Sequence, residues 1–472
     1  MKIALIHCPF GHKKFSENIK VVDEEFCLAP PIVLAYVAAI LERAGHKVII
    51  IDANALKLAK EEVLRILKNF SADAVCFRAD TYWFHNIVEW AGYFKDLIKA
   101  KIIVGGINIT LYPKESLSYE CFDYGIIGEA NKSLVELINA FGNIDKIRKI
   151  KGIVYRDLDQ LIINEPDSEA LDFNGYPFPA RHLLPNHLYY SFTSQRKNYT
   201  VMLTTTGCRY KCIFCAISKL PYRERSVQNV VDEIQECYDK FNIREIDFFD
   251  ATFFINRARA MDICREIVRR GIEIEWSCRS RVDLVDDELL QMAYLSGCRK
   301  IYYGIESASA DTLNNINKNI NMNQICDAIK LTKKNKIKAL GFFMIGNPGD
   351  NKKTILSSIR LAKKLGLDYI QVCRVVAKPN SVLENVLIKN TGIDYWRDYI
   401  SGRNNDQRLP IPWTILSEAE LENYTRKFYR DFYFRPNYII KKALELKSFD
   451  ELARYIKVGT KWFFCNKRDA LK

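Results

Sequence analysis

Three cysteines, Cys208, Cys212 and Cys215, stand within eight residues in the stretch TTTGCRYKCIFC. Their spacing is C-x3-C-x2-C. Thiols this close on a polar Gly/Arg/Lys loop point to metal, and three thiolates can hold three corners of a cubane iron–sulfur cluster. The fourth iron then has no protein ligand and is open to a substrate or cofactor. A tetrahedral zinc site requires a fourth Cys or His. No histidine follows His187, and no second C-x2-C occurs. Three unrelated buried cysteines are the bland alternative. The neighbouring Arg209 and Lys211 either offset the negative charge of a cluster or face solvent.

The segments around this loop show how it is positioned. From 199 to 390, short apolar runs alternate with helical patterns. Strands are expected at 201–205, 245–249, 273–278, 300–304, 338–344 and 369–375, with helices between them. Six such units in about 190 residues imply a partial, open βα barrel, and the Cys loop follows its first strand at the carboxyl face, where βα barrels keep their chemistry. Residues 1–145 show a separate βα alternation, with strands near 2–7, 48–52, 74–78, 102–104 and 124–127. That pattern implies a doubly wound parallel sheet, which binds ligands beyond its strands' carboxyl ends. Those ends carry Cys8, Arg78, Gly105-Gly106 and Gly128-Glu129. Residues 146–198 read as a linker with a hairpin around 156–160 and a Pro-rich stretch. Residues 391–472 read as a helical extension, whose long helix opens at the capping box Ser417-Glu418-Ala419-Glu420.

Composition narrows the class. The chain has 472 residues, 48% hydrophobic and 27% charged, as in a soluble globular protein of two or three domains. Nothing at the N-terminus reads as a signal peptide, and no 18-residue apolar run occurs, so neither secretion nor a membrane span is expected. Fourteen scattered cysteines without paired spacing suit a reducing cytosol rather than a disulfide framework. The net charge is +13, and residues 425–472 hold 13 Lys/Arg against 5 Asp/Glu together with 11 aromatics, among them Phe428, Tyr429, Phe432, Trp462, Phe463 and Phe464. This tail suits peripheral contact with an anionic membrane surface. The competing reading packs the rings onto the barrel and leaves the charges in water. Nucleic acid is not expected as a partner.

The Cys loop, with Phe214 just before its last cysteine, resembles the signature of the radical S-adenosylmethionine (SAM) superfamily. The chain as far as about residue 390 resembles the cobalamin-binding members: class B radical SAM methyltransferases and the anaerobic magnesium-protoporphyrin ester cyclase. Pro30–Ala39, Val104-Gly105-Gly106 and Ile127-Gly128-Glu129 look like the cobalamin domain. Pro177-Phe178-Pro179-Ala180-Arg181 looks like the linker. Phe248-Phe249-Asp250, Gly304-Ile305-Glu306 and Gly346-Asn347-Pro348-Gly349 look like barrel motifs. The resemblance implies a [4Fe-4S] cluster on Cys208, Cys212 and Cys215, SAM on its open iron, and cleavage of SAM to a 5′-deoxyadenosyl radical. It places Phe249 and Asp250 near the SAM amino group. It makes Ser277, Arg279 and Glu306 contacts for ribose or carboxylate, and puts the Gly346–Gly349 turn near adenine. Gly105, Gly106, Gly128 and Glu129 would border cobalamin. An Asp-x-His-x-x-Gly loop is absent, so cobalt would have no histidine ligand from the protein.

The implied reaction is methylation of an unactivated carbon, with cyclisation or rearrangement as the alternative on the same scaffold. The substrate would be a small or lipid-like molecule, and an external donor such as flavodoxin or ferredoxin would supply electrons. A methylthiotransferase needs a second cysteine set, which Cys8, Cys27, Cys76 and Cys121 are too dispersed to show. A non-catalytic iron–sulfur or cobalamin sensor needs a fully ligated cluster. The expected location is cytoplasmic, or peripheral at the inner membrane face.

Overall fold

The computed structural model describes residues 1–9, 27–158, 160–167, 172–194, 196, 198–403 and 409–445, with isolated positions at 452, 453, 456, 457 and 460. Two compact units form. Each is described in turn.

The first unit holds a seven-stranded sheet. Five strands are parallel: β1 (Lys2–His7), β2 (Lys47–Asp52), β3 (Ala74–Arg78), β4 (Lys101–Gly105) and β5 (Tyr124–Ile126). The hairpin β6 (Ile153–Asp157) and β7 (Gln160–Ile163) adds an antiparallel edge, and the order across the sheet is β2-β1-β3-β4-β5-β6-β7. The apolar runs at the strand centres explain the two-sided burial: Ile3, Ala4, Leu5, Val75, Phe77, Ile102 and Val104 are almost wholly buried. Helices α1 (Ile32–Arg43), α2 (Lys60–Phe70) and α3 (Phe84–Lys95) provide crossovers, and α4 (Lys132–Asn139) lies in the connection from β5 to the antiparallel β6. The strand order reverses at β1, so β1 and β3 diverge there and open a crevice beyond their carboxyl ends. The hairpin expected in a linker is therefore part of this sheet, because β6 finds a partner in β5.

The first unit also contains a late passage of the chain. Residues from Gly392 join it, including the short helix Tyr395–Ile400. Trp396 is buried there, the Tyr119 hydroxyl donates to the Ile400 carbonyl at 2.9 Å, and the Tyr399 carbonyl bonds the His85 ring at 2.7 Å. The C-terminal extension expected from 391 thus begins inside the first unit. An aromatic cluster of Tyr82, His85 and Tyr399 around Trp396 accounts for it.

The second unit is an open half-barrel of six parallel strands in sequence order: β8 (Tyr199–Met202), β9 (Glu245–Phe248), β10 (Glu275–Ser280), β11 (Cys298–Glu306), β12 (Lys338–Ile345) and β13 (Tyr369–Arg374). Between the strands run α5 (Val227–Phe241), α6 (Arg257–Arg269), α7 (Asp287–Leu295), α8 (Met322–Lys334) and α9 (Lys352–Lys364). Period-two alternation separates the two faces of the sheet. Ile246, Phe248, Ile301, Tyr303 and Ile305 enter the main apolar core. On the other face, Tyr302, Leu340 and Tyr369 pack with Phe192 and Phe342, alongside the buried ion pair Lys300–Glu245 at 2.7 Å.

The capping box at Ser417 forms and opens α10 (Glu418–Tyr433). Phe428, Tyr429 and Phe432 on this helix are buried in the same apolar core, and the hydroxyls of Tyr429 and Tyr433 accept from the backbone N–H groups of Val372 and Ile370, both at 2.9 Å. These rings are thus used in packing. Trp462, Phe463 and Phe464 lie outside the described residues. Among the described residues, no helix is long and apolar enough to cross a membrane.

Candidate active site

The Cys loop leaves β8 and doubles back. Thr205 and Thr206 pair antiparallel with Glu224 and Arg223, closing the base of the excursion. Gly207 makes the turn possible: its φ is +68°, and a Cβ there would lie 2.1 Å from the Pro221 carbonyl oxygen. Three further ties fix the loop. The Ile213 N–H donates to Ile316 O at 3.2 Å, the Asn317 side chain donates to Lys211 O at 2.8 Å, and the Leu383 N–H donates to Ile213 O at 3.1 Å. Cys212 is buried, while Cys208 and Cys215 are half-buried. Burial raises the Cys212 and Cys215 thiols, and Lys318 opposes this at both.

Among the described residues, no three His, Cys, Asp or Glu side chains converge as a single metal ion requires. Cys212 feels the charge of Cys215, and Cys215 that of Cys208, so the three thiols lie near one another on the loop. A buried arginine stands beside them. Arg281 is 4% exposed, and its Nη1 is buried without a hydrogen-bond partner among the described residues. It lies close enough to Cys212 for each charge to act on the other. Arg209 and Lys211, by contrast, are engaged within the loop itself. The Arg209 guanidinium lies over the Tyr222 ring at 4.4 Å, and Lys211 Nζ donates to Ser218 O at 2.8 Å.

Asp250, beyond β9, is fully buried. Its Oδ1 accepts from the backbone N–H groups of Thr204 at 2.7 Å and Thr205 at 2.9 Å, and its Oδ2 accepts from the Thr204 hydroxyl at 2.5 Å. Both oxygens therefore anchor the first residues of the Cys loop, where the resemblance implied a SAM contact. Phe249 stacks on Arg279, whose guanidinium lies 4.1 Å from the ring centre. Arg279 pairs with Asp247 at 3.0 Å and keeps 28% of its side chain exposed. Ser277 is buried and bonds the same Asp247. Glu306 ends β11 at φ +64°, an uncommon conformation for a side-chain-bearing residue and one typical of functional sites. Its carboxylate pairs with Lys318 at 2.7 Å, and both side chains are more than nine-tenths buried. Gly346 and Gly349 lie in the turn after β12. There the Gly346 carbonyl accepts from the Trp413 indole at 2.9 Å, and Asn315 donates to Pro348 O at 3.0 Å.

In the first unit, the crevice at the ends of β1 and β3 is lined by Ile6, His7, Cys8, Pro31, Leu34, Arg78 and Trp83. Its walls are apolar with a few polar groups, and its volume of about 20 Å³ is room for about one water. Gly105 ends β4, and a Cβ there would meet Ile126 at an ordinary 3.7 Å. Gly106 is constrained by its own fold: at φ +111°, a Cβ would lie 2.7 Å from Ala79 O. The close approach expected with a corrin is thus first an approach to neighbouring backbone. Gly128 donates its N–H to the Thr110 hydroxyl at 2.8 Å, and Glu129 accepts from the Tyr176 hydroxyl at 2.6 Å. His85 packs edge-on against Tyr399 with ring centres 4.6 Å apart, so it is a packing residue.

Sequence reasoning passed over Arg281, Lys318 and Thr204. Arg281 stands two residues after Arg279, the period that returns a strand to the same face, and that was its available signal. Lys318 lies in a loop of ordinary composition.

Comparison with known proteins adds independent findings. Residues 202–362 match the Radical SAM superfamily, and residues 27–138 match the B12 binding domain. A protein of Pyrococcus horikoshii described as an uncharacterized methyltransferase is 31% identical over 429 residues, 89% of this chain and 91% of its own length. The anaerobic magnesium-protoporphyrin IX monomethyl ester cyclase of Cereibacter sphaeroides is 25% identical over 360 residues, 71% of this chain and 56% of the cyclase. Among solved structures, the cobalamin-dependent S-adenosylmethionine radical enzyme OxsB with aqua-cobalamin bound superimposes with a TM-score of 0.69 at 15% identity, covering 98% of this chain and 71% of OxsB. That likeness is one of fold.

Proposed function

The chain belongs to the radical SAM enzymes that carry a B12-binding domain, and on that footing we propose that it methylates an unactivated carbon of a small-molecule substrate. The observation that carries the proposal is a pairing. A C-x3-C-x2-C loop with no second C-x2-C in the sequence occurs in a chain similar over 89% of its length to a protein described as an uncharacterized methyltransferase. When bound, the cluster supplies the electron that cleaves SAM, and cobalamin carries the methyl group.

The chain's own residues hold, orient and shield. Cys208, Cys212 and Cys215 hold the cluster. Asp250 anchors the loop's entry through Thr204 and Thr205. Arg279, 28% exposed beside Asp247, is the partner for a SAM carboxylate, with Phe249 stacked on its guanidinium. Glu306 is held in place by Lys318 as an acceptor for hydroxyl or ammonium groups. In the first unit, the residues that would border cobalamin are those at the carboxyl ends of β1 and β3 and in the turns after β4 and β5, Gly105, Gly106, Gly128 and Glu129 among them. An external flavodoxin or ferredoxin supplies the electron.

The test is anaerobic reconstitution with iron, sulfide, hydroxocobalamin and SAM. Wild type is expected to bind about four irons per chain and to form 5′-deoxyadenosine. Replacing any one of Cys208, Cys212 or Cys215 with Ala should abolish that product. Product formation by all three variants would refute the cluster assignment. Comparing metabolites from cells with and without the gene should then show a mass difference of one methyl. A difference with the methyl count unchanged favours cyclisation or rearrangement, the reading supported by the likeness to the cyclase.

A peripheral membrane contact is a second reading with its own observation. Helix α11 (Pro436–Glu445) exposes Ile439, Ile440 and Leu444 beside Lys441. Flotation with anionic liposomes at low and high salt tests it, and no binding at low salt refutes it.

A further inference from the structure

Arg281 is built into the fold more firmly than a surface arginine and is only partly satisfied. It follows β10 and is 4% exposed. Nε and Nη2 donate to the two carboxylate oxygens of Asp283 at 2.8 and 2.9 Å, and Nη2 also donates to Lys318 O at 2.8 Å. The flat face of the guanidinium lies 3.8 Å from the ring centre of Tyr210, which stands between Cys208 and Cys212. Nη1 is left: a buried, charge-bearing donor with no partner among the described residues. Leaving such a donor unmet costs about 1–3 kcal/mol, so native structures seldom keep one without a reason.

The surroundings suggest the missing acceptor. Arg281 acts electrostatically on Cys212 and on Tyr210 of the same loop. The sulfurs of a cluster held by Cys208, Cys212 and Cys215 are acceptors that belong to no residue of the chain. We infer that Arg281 is a positioning residue for the cluster, donating from Nη1 to a cluster sulfur or to the Cys212 thiolate and thereby setting the reduction potential. The inference rests on the cluster assignment made above.

The direction follows from charge. Three thiolates and the cubane carry net negative charge, and reduction adds one more. A fixed cation with a hydrogen bond stabilises the reduced state more than the oxidised one and raises the potential. Asp283 works against Arg281, since its carboxylate offsets part of the guanidinium charge. Neutralising one partner should therefore shift the potential down, and neutralising the other should shift it up.

The test uses full-length protein reconstituted anaerobically and titrated with dithionite and mediators. Electron paramagnetic resonance follows the reduced cluster, and iron is counted for each sample. Arg281→Gln should lower the ratio of reduced to oxidised cluster at a fixed potential about tenfold, a midpoint shift of about 59 mV for one electron. Asp283→Asn should raise the midpoint. A merely structural arginine would give lower iron content in both variants and no opposed shifts. Arg281→Gln with wild-type iron and an unchanged midpoint overturns the inference. If Arg281→Gln does not load iron, Asp283→Asn decides: a midpoint unchanged or lowered overturns it equally. A wild-type protein that binds no iron would instead remove the cluster assignment itself, a distinct outcome.

Discussion

Replacing Asp250 separates two roles for the same carboxylate. If it is a loop anchor, its value lies in the acceptors it offers to Thr204 and Thr205. Asp250→Ala would leave two backbone N–H groups and a hydroxyl buried with no acceptor. Each unmet donor costs about 1–3 kcal/mol. Burial pushes the Asp250 carboxyl up despite its three donors, so losing the buried charge returns part of that cost. A net loss of about 3 kcal/mol is expected, which lowers the melting temperature of a unit this size by roughly 5–10 °C. Asp250→Asn behaves differently. Its amide oxygen can still accept from both N–H groups, and its amide nitrogen can face a Thr204 hydroxyl that rotates to accept. That variant should melt within a few degrees of wild type and keep its iron. The assay is circular dichroism melting of both metal-free variants, with iron content and SAM binding measured after reconstitution. Under the alternative, in which Asp250 meets the SAM ammonium group, both variants melt like wild type and both lose SAM binding. That result would refute the anchor.

Three other outcomes are expected. Gly106→Ala, with its Cβ forced toward Ala79 O, should lower the melting temperature of cobalamin-free protein as well as cobalamin retention; loss of cobalamin at unchanged melting would make Gly106 a ligand contact only. Lys318→Met should cost about 3–5 kcal/mol by leaving the buried Glu306 carboxylate unpaired, and adding Glu306→Gln should restore much of it; additive losses in the double-mutant cycle would rule out coupling. Burial lowers the His7 pKa below its ordinary value, so the unfolded chain binds the extra proton first and stability falls as pH drops through about 6.5, a slope that His7→Gln should flatten in denaturant titrations at pH 5 and 7.5.

Both βα series were legible because their strands are apolar at the centre and their helices carry one apolar stripe. β11 and β12 appear at the expected places with ends shifted by a few residues. The cysteine loop was legible because its spacing is chemical rather than conformational. Partnerships were not. Nothing local says that Asp250 turns back to Thr204, forty-six positions earlier, rather than outward to a ligand. The same holds for Lys318 and Glu306, brought together by the backward fold of the segment after β11. The hairpin of β6 and β7 was visible as a hairpin, but its docking on β5 depends on a sheet edge that only the assembled unit presents. Tyr395–Ile400 is too short to show an apolar stripe, so its return to the first unit could not be read from periodicity.

That return sets the order in which the molecule can be completed. As the chain leaves the ribosome, the first sheet is finished by residue 163, yet the Trp396 passage that covers part of it is made only after the whole half-barrel. Until then Tyr82 and His85 have no aromatic cover from this passage, and the Tyr119 hydroxyl has no Ile400 carbonyl to donate to. The first unit must therefore wait, incompletely clad, through the synthesis of more than two hundred residues. A fragment ending near residue 190 should reproduce this waiting state, sticky and prone to associate. A gene fusion that swaps the N-terminal unit for a relative's would have to carry residues 392–403 with it.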